Sequence, residues 1–189
     1  MVTLYLTRHG ETVENVAGIL QGQGAGRLNE NGLRQARELR DRLASETFDS
    51  FVSSDLQRAL HTARIINEPH RLHIVPTVLL RERDWGEFTG LRARDIRVDK
   101  NHFPPSVESQ GHLGYRARCF IEWLLNHFDG QRVLAIGHGY FNRCIVAYWE
   151  QQPVHEVPRW GNAEVRVLHI ERDGIDRTVR SASGEISAD

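Results

Sequence analysis

Arg8 and His9 stand directly after an apolar, β-branched run, VTLYLT, while Ser53, Ser54 and Asp55 close a second such run with Arg58 three residues on. A third run, RVLAIG, ends in Gly137-His138-Gly139. Two histidines and two arginines delivered to neighbouring strand ends suit a tetrahedral dianion. Guanidinium groups present fixed forks of N–H donors that match phosphate oxygens, in charge-assisted bonds stronger than neutral ones. Glycine beside each histidine, Gly10 and Gly139, lets the backbone approach such a ligand and add its own N–H groups. Taken singly, a histidine after a strand is more often a hydrogen-bonded structural residue, and Arg58 alone reads as a solvated helix residue. The convergence therefore depends on whether the three runs are neighbours in one sheet.

The intervening sequence predicts that all three belong to one mainly parallel sheet. Strand-like runs at 2–7, 48–53, 74–79, 132–137 and 164–170 alternate with helical patterns. Leu33, Ala36, Leu39, Leu43 and Ala44 recur at helical spacing behind Asn29 and Asn31, which can cap a helix start. Similar patterns run over 55–67, 113–128 and 141–151. The alternation predicts one α/β domain over 1–189, a three-layer sandwich whose mainly parallel central sheet carries helices on both faces. Such sheets place ligand sites at the carboxyl ends of their strands. Residues 91–112, with Pro104 and Pro105 and no clear period, are expected to form a loop or lid, and 184–189 a tail.

Composition narrows the partners. With 189 residues, 40% hydrophobic and 26% charged, the chain can build one sizeable core. A formal net charge of -1 gives no general attraction to nucleic acid or an anionic membrane, so anion binding must come from a local cluster of cations. No stretch approaches the roughly 18 apolar residues of a membrane span, and Met1 leads into a strand without a signal-like region, so a cytoplasmic location is expected. Cys119 and Cys144 lack C-x-x-C spacing and read as small core residues. The histidines outside the strand ends have no metal-ligand spacing. The expected partner is a small phosphorylated substrate, with no metal and no cofactor; a homodimer is compatible with the sequence.

The stretch LTRHGETVENV resembles the R-H-G-[ET]-x-x-x-N signature of the histidine phosphatase superfamily, the phosphoglycerate mutase-like proteins. Gln21-Gly22, LNENGLRQA (28–36), SSDLQRALHTA (53–63), LRERDWGEFTG (80–90) and GHG with Arg143 are similar to the segments that follow in that family, in the same order. The resemblance implies His9 as a nucleophile that forms a phosphohistidine, Arg8, Arg58 and His138 as holders of the phosphoryl oxygens, and Glu82 as the acid that protonates the departing oxygen. It also suggests Asn15, Gln21, Gly22 and Gly139 as substrate-binding positions, although Asn15 and Gln21 serve equally well as turn or capping residues. Glu82 has Asp84 and Glu87 as neighbours that could take its place.

The residue types fit that chemistry. Phosphoryl transfer is mostly positioning plus stabilisation of charge on the equatorial oxygens, and a covalent intermediate divides one hard displacement into two easier ones. An attacking histidine needs one ring nitrogen unprotonated, which calls for the other to donate to a fixed acceptor such as a backbone carbonyl. The phosphatase branch is preferred over a phosphoglycerate mutase because only residues 83–137 separate Glu82 from His138, a span too short for the mutase insertion. A non-catalytic phosphate-binding module is a further alternative, opposed by the pair of histidines with a glutamate. Arg92, Arg94, Arg97 and Lys100 are candidates for a cationic rim, and Trp85, Phe88, Phe103 and Tyr140 for packing against a ligand or against each other. Tyr140-Phe141 after Gly139, and the glycine-rich GQGAGRLNENG, depart from the usual family pattern at the rim of the site.

Overall fold

The computed structural model describes residues 1–98 and 103–172. Its sheet has the order β3-β2-β4-β1-β5. Strands β1 (Val2–Arg8), β2 (Ser50–Ser54), β3 (Ile74–Thr77) and β4 (Arg132–Gly137) run parallel, and β5 (Val165–Ile170) closes the β1 edge antiparallel. This is the α/β architecture expected from the alternation of runs.

Period-two side-chain direction divides each inner strand between two cores. Leu4, Leu6, Val52, Val133 and Ala135 face helices α4 (Gln110–His127) and α5 (Gly139–Glu150). Phe51, Leu134 and Ile136 face α2 (Glu30–Leu43) and α3 (Gln57–Ile66). Leu4, Leu6 and Leu134 are fully buried, each burial contributing about 1.5–3 kcal/mol before ordering entropy is subtracted. Helix α2 begins where the Asn29 side chain accepts the Gly32 N–H at 2.7 Å.

Several boundaries differ from expectation for local reasons. Thr77 ends β3 early, because its hydroxyl accepts the Leu79 N–H at 3.2 Å and starts a 3-10 turn. Helix α4 begins at Gln110, capped by the Ser109 hydroxyl on the His112 N–H at 3.1 Å, so the expected loop over 91–112 yields its last three residues to the helix. Gly111 and Gly114 obscure the helical period there. One short helix, α1 (Val13–Val16), follows β1 unannounced, and the expected tail at 184–189 lies outside the described residues. Cys144 is buried, which pushes its thiol up to about 12, whereas Cys119 is only partly buried, on the outer side of α4. No helix among the described residues is long and apolar enough to cross a membrane.

Candidate active site

Register decides which side chains meet. Arg8 lies level with Gly137 across the β1–β4 pair, so His9 and His138 leave the sheet side by side, and the His9 N–H donates to Gly137 O at 3.1 Å. Their ring centroids are 5.0 Å apart. Arg58, in the first turn of α3 beyond β2, reaches the same place and is 1% exposed. Arg8, His9, Arg58 and Glu82 wall one cleft of about 190 Å³, with His138 behind His9.

His9 is fixed in one tautomer. Its Nδ1 lies 2.7 Å from Gly10 O, and a carbonyl can only accept, so Nδ1 carries the proton and Nε2 the lone pair. The backbone around it is held from three directions. Asn162 Nδ2 donates to His9 O at 2.9 Å, Gly10 N–H donates to Thr62 Oγ1 at 3.1 Å, and Gly10 has room for no Cβ because Gly32 O would lie 2.5 Å from it. Burial, then Arg58, then Arg8 hold the His9 imidazole well below its ordinary value.

His138 receives a second layer of support. Ser54 Oγ, which accepts the Leu56 N–H at 3.3 Å, lies 2.9 Å from His138 Nε2. His138 Nδ1 is buried and without a protein partner. The His138 N–H donates to Asn142 Oδ1 at 3.1 Å, and Asn142 Nδ2 donates to Thr7 O at 3.0 Å. Burial, followed by the charge of Arg58, keeps this imidazole neutral too.

The arginines are braced through one side and left open on the other. Arg58 Nη1 donates to Gly24 O at 2.9 Å and Nη2 to Gly22 O at 2.7 Å, while Arg8 Nη1 donates to Trp160 O at 2.8 Å. Both Nε atoms are buried with no protein partner. Burial brings Arg58 down to about 10, so it is still a cation at neutral pH, and lowers Arg8 also. Unpaired buried polar atoms are rare in folded proteins, and here three nitrogens, Arg8 Nε, Arg58 Nε and His138 Nδ1, lie buried without a protein partner around His9.

Glu82 is held at a helix start. Its Oε2 accepts the Tyr140 N–H at 3.1 Å, and its Oε1 accepts the Phe141 N–H at 3.1 Å and the Arg83 N–H at 2.8 Å. Helix α5 has His138 at its N-cap position without a side-chain cap, so this distant carboxylate satisfies the orphan donors instead. Asp84 and Glu87, the competing candidates, turn to the Gly86 N–H and to Ser106.

The four outer candidates divide. Asn15 lines the cleft and is also the capping partner of Thr12 at α1, and Gln21 lines it with a buried, unpartnered Oε1. Gly22 lines it with φ +51, its carbonyl committed to Arg58. Gly139 lies beside rather than inside the cleft, and a Cβ there would sit 3.1 Å from Arg8 Nε. Glu11 of the strand-one motif is structural: its carboxylate accepts from Asn29 and Asn31. Arg92, Arg94 and Arg97 are exposed, and Lys100 lies outside the described residues. Sequence reasoning names Ser54 only as part of a strand end and passes over Asn142, Trp160 and Asn162. Only Asn142 carries a signal, its placement four residues after His138.

Two buried neutral histidines make stability fall with acid. Below about pH 6.5 the unfolded chain takes up protons that the folded site refuses, which favours unfolding until the depressed folded values are reached; above 6.5 the term is flat. Between pH 7 and 5 each therefore draws stability down. Urea unfolding of His138→Gln should show less pH dependence across that range than the parent; identical slopes would contradict a neutral buried His138.

The comparisons with known proteins agree with this geometry. The family model for histidine phosphatase superfamily (branch 1) matches residues 4–181. The chain belongs to the histidine phosphatase superfamily. Among curated members, the Yersinia pestis (strain Pestoides F) protein named probable phosphoglycerate mutase GpmB is 29% identical over 167 residues, 82% of this chain and 78% of that protein. Among solved structures of this fold, Bacillus stearothermophilus YhfR aligns with TM-score 0.84 and 27% identity, over 91% of this chain and 93% of its own. A mycobacterial glucosyl-3-phosphoglycerate phosphatase in complex with VO3 aligns with TM-score 0.80 and 28% identity, over 88% of this histidine phosphatase homologue and 92% of its own chain.

Proposed function

We propose that the chain is a metal-independent phosphomonoesterase that hydrolyses a small phosphate ester, such as a sugar phosphate or a cofactor-precursor phosphate like α-ribazole phosphate, through a phosphohistidine. The observation that carries this reading is His9, a neutral imidazole with its Nδ1 proton committed to Gly10 O, set among three buried nitrogens that lack protein partners. In the first step Nε2 attacks phosphorus, the P–O bond to the alcohol breaks, and the departing oxygen takes a proton from Glu82. In the second, Glu82 takes a proton from water, whose oxygen bonds to phosphorus as the P–Nε2 bond breaks, releasing inorganic phosphate and the neutral imidazole. Arg8 and Arg58 would neutralise charge on the equatorial oxygens throughout while His138 holds one by a hydrogen bond, roles that fixed cations and donors perform without reorganising.

The resemblance to glucosyl-3-phosphoglycerate phosphatase favours ester hydrolysis. The curated relative's name favours a second reading, phosphoglycerate mutase. Purified chain in a chelating buffer should release phosphate from p-nitrophenyl phosphate; failure to do so, with interconversion of 2- and 3-phosphoglycerate, would select the mutase. For Glu82→Gln, alkyl esters should lose roughly 10²–10⁴-fold in kcat/KM and p-nitrophenyl phosphate far less, because a good leaving group needs little protonation. Any disturbance of the α5 cap affects all esters alike, so the ratio is the readout. Equal losses would remove Glu82 from the acid role.

A further inference from the structure

Glu82 stands on a stretch, 81–85, that belongs to neither helix nor strand, so its backbone groups are left to find other partners. One side chain supplies several of them. Arg116, on α4, donates from Nη1 to Leu79 O at 3.1 Å and to Arg81 O at 2.5 Å, and from Nη2 to Glu82 O at 3.4 Å. Its other two N–H groups go to the Glu108 carboxylate, Nε to Oε1 at 3.0 Å and Nη2 to Oε2 at 2.8 Å. All five guanidinium N–H groups thus have an acceptor, whereas a lysine, with three donors on one nitrogen, would leave at least two acceptors unfilled.

The partner carboxylate grips the same stretch. Glu108 Oε2 also accepts the Asp84 N–H at 3.1 Å, the Glu108 N–H donates to Asp84 O at 2.9 Å, and Arg83 Nε donates to Glu108 O at 2.9 Å. Trp85, Phe103 and Tyr140 pack on each other and on Arg83, whose Cζ lies 4.5, 4.7 and 5.6 Å from their ring centroids. Arg116 also touches the element that holds the Glu82 carboxylate. Its Cζ lies 3.7 Å from the Phe141 ring centroid, and the Phe141 N–H donates to Glu82 Oε1. The pair is therefore in contact with both anchors of the Glu82 side chain, its backbone and its carboxylate cradle.

The Arg116 and Glu108 side chains are only 11% and 5% exposed. A buried ion pair is weak evidence for stability, and its better-attested use is to fix one arrangement among several. Here the arrangement is the reach of one carboxyl into the cleft walled by Arg8, His9 and Arg58. Misplacing a reacting group by about 1 Å costs on the order of 10²-fold in rate.

We propose that Glu108 and Arg116 are positioning residues for Glu82, locking its carboxyl at the depth in the cleft where it meets the departing oxygen. The inference rests on the reading of Glu82 as the acid. Neither side chain lines the phosphate cleft, so the effect passes through Glu82.

The test is the ratio of kcat/KM for phenyl phosphate to that for p-nitrophenyl phosphate. Phenol is about as weak an acid as a tyrosine side chain and needs a proton as it leaves; p-nitrophenol needs little. In Arg116→Lys, which keeps the charge felt by His138 but not the five donors, the ratio should fall roughly 10-fold. Glu108→Gln, which keeps the shape but withdraws an acceptor, should move it the same way. The ratio does not depend on how much of a preparation is folded, so a destabilised variant still reports. In the Glu82→Gln background neither substitution should lower the ratio further, because the group it positions is gone. If Glu82→Gln lowers the ratio while either Arg116→Lys or Glu108→Gln keeps the parental one, the inference is overturned and the acid reading stands. A fall that persists in full in the Glu82→Gln background overturns it as well, since the pair then acts by another route. If Glu82→Gln itself leaves the ratio unmoved, the acid reading fails and takes the inference with it.

Discussion

His9→Ala should lose phosphate release by roughly 10⁴-fold or more while still binding phosphate. Alanine removes the only atom proposed to bond to phosphorus, yet Arg8, Arg58 and His138 keep their braces on Trp160, on Gly22 and Gly24, and on Ser54. Inorganic phosphate should therefore still raise the melting temperature of the variant, because a ligand that binds only the folded chain stabilises it by mass action. The structural loss is one hydrogen bond, Nδ1 to Gly10 O, and a small volume, about 1–2 kcal/mol together. Retention of a percent or more of the parent rate in a pure preparation would end the phosphohistidine mechanism. Loss of phosphate binding along with activity would mean that His9 organises the site rather than reacting in it.

Arg58→Met is expected to separate function from stability in the opposite way. Removing one preorganised donor from developing charge costs roughly 10²–10³ in kcat. Arg58 supplies a full charge as well as a donor, so the loss should lie at the upper end. Stability should change little by comparison, because two terms oppose. Methionine leaves Gly22 O and Gly24 O without their partner, at about 1–3 kcal/mol for an unsatisfied buried group, but it also removes a cation that is 1% exposed and repelled by Arg8. A melting-temperature drop of a few degrees, with the phosphate-induced rise abolished, is the expected pair of results. An undiminished phosphate effect would show that Arg58 is a strut and nothing more.

The parts of the molecule legible in its sequence are those set by local pattern. Buried parallel strands read as apolar runs, and the residue that ends such a run is exposed to the ligand face, so Arg8, His9 and His138 announce themselves. Arg58 follows from one turn of helix beyond β2. Asn29 is visible as a cap because capping needs a particular residue at a particular place. The boundary of α4 was hidden by glycines that the helix tolerates because Ser109 caps it. The support of the site is less visible still. Glu82 stands in the right motif by resemblance, but nothing local says that its carboxylate closes the start of α5. Arg83 carries no spacing signal; only the packing of Trp85, Phe103 and Tyr140 around it makes it unusual.

The bonds that hold the two histidines join distant parts of the chain. His138 to Ser54 spans 84 residues, Asn142 to Thr7 spans 135, and Asn162 to His9 spans 153. Contacts of such separation carry the closure entropy of the loops between them, which slows the folding of a chain built on them. A chain ending before Trp160 would keep every proposed catalytic residue yet lose the amide on the His9 carbonyl and the Trp160 carbonyl under Arg8. During refolding, catalytic competence should return only once β5 has docked against β1 and carried Leu168 and Ile170 into the core.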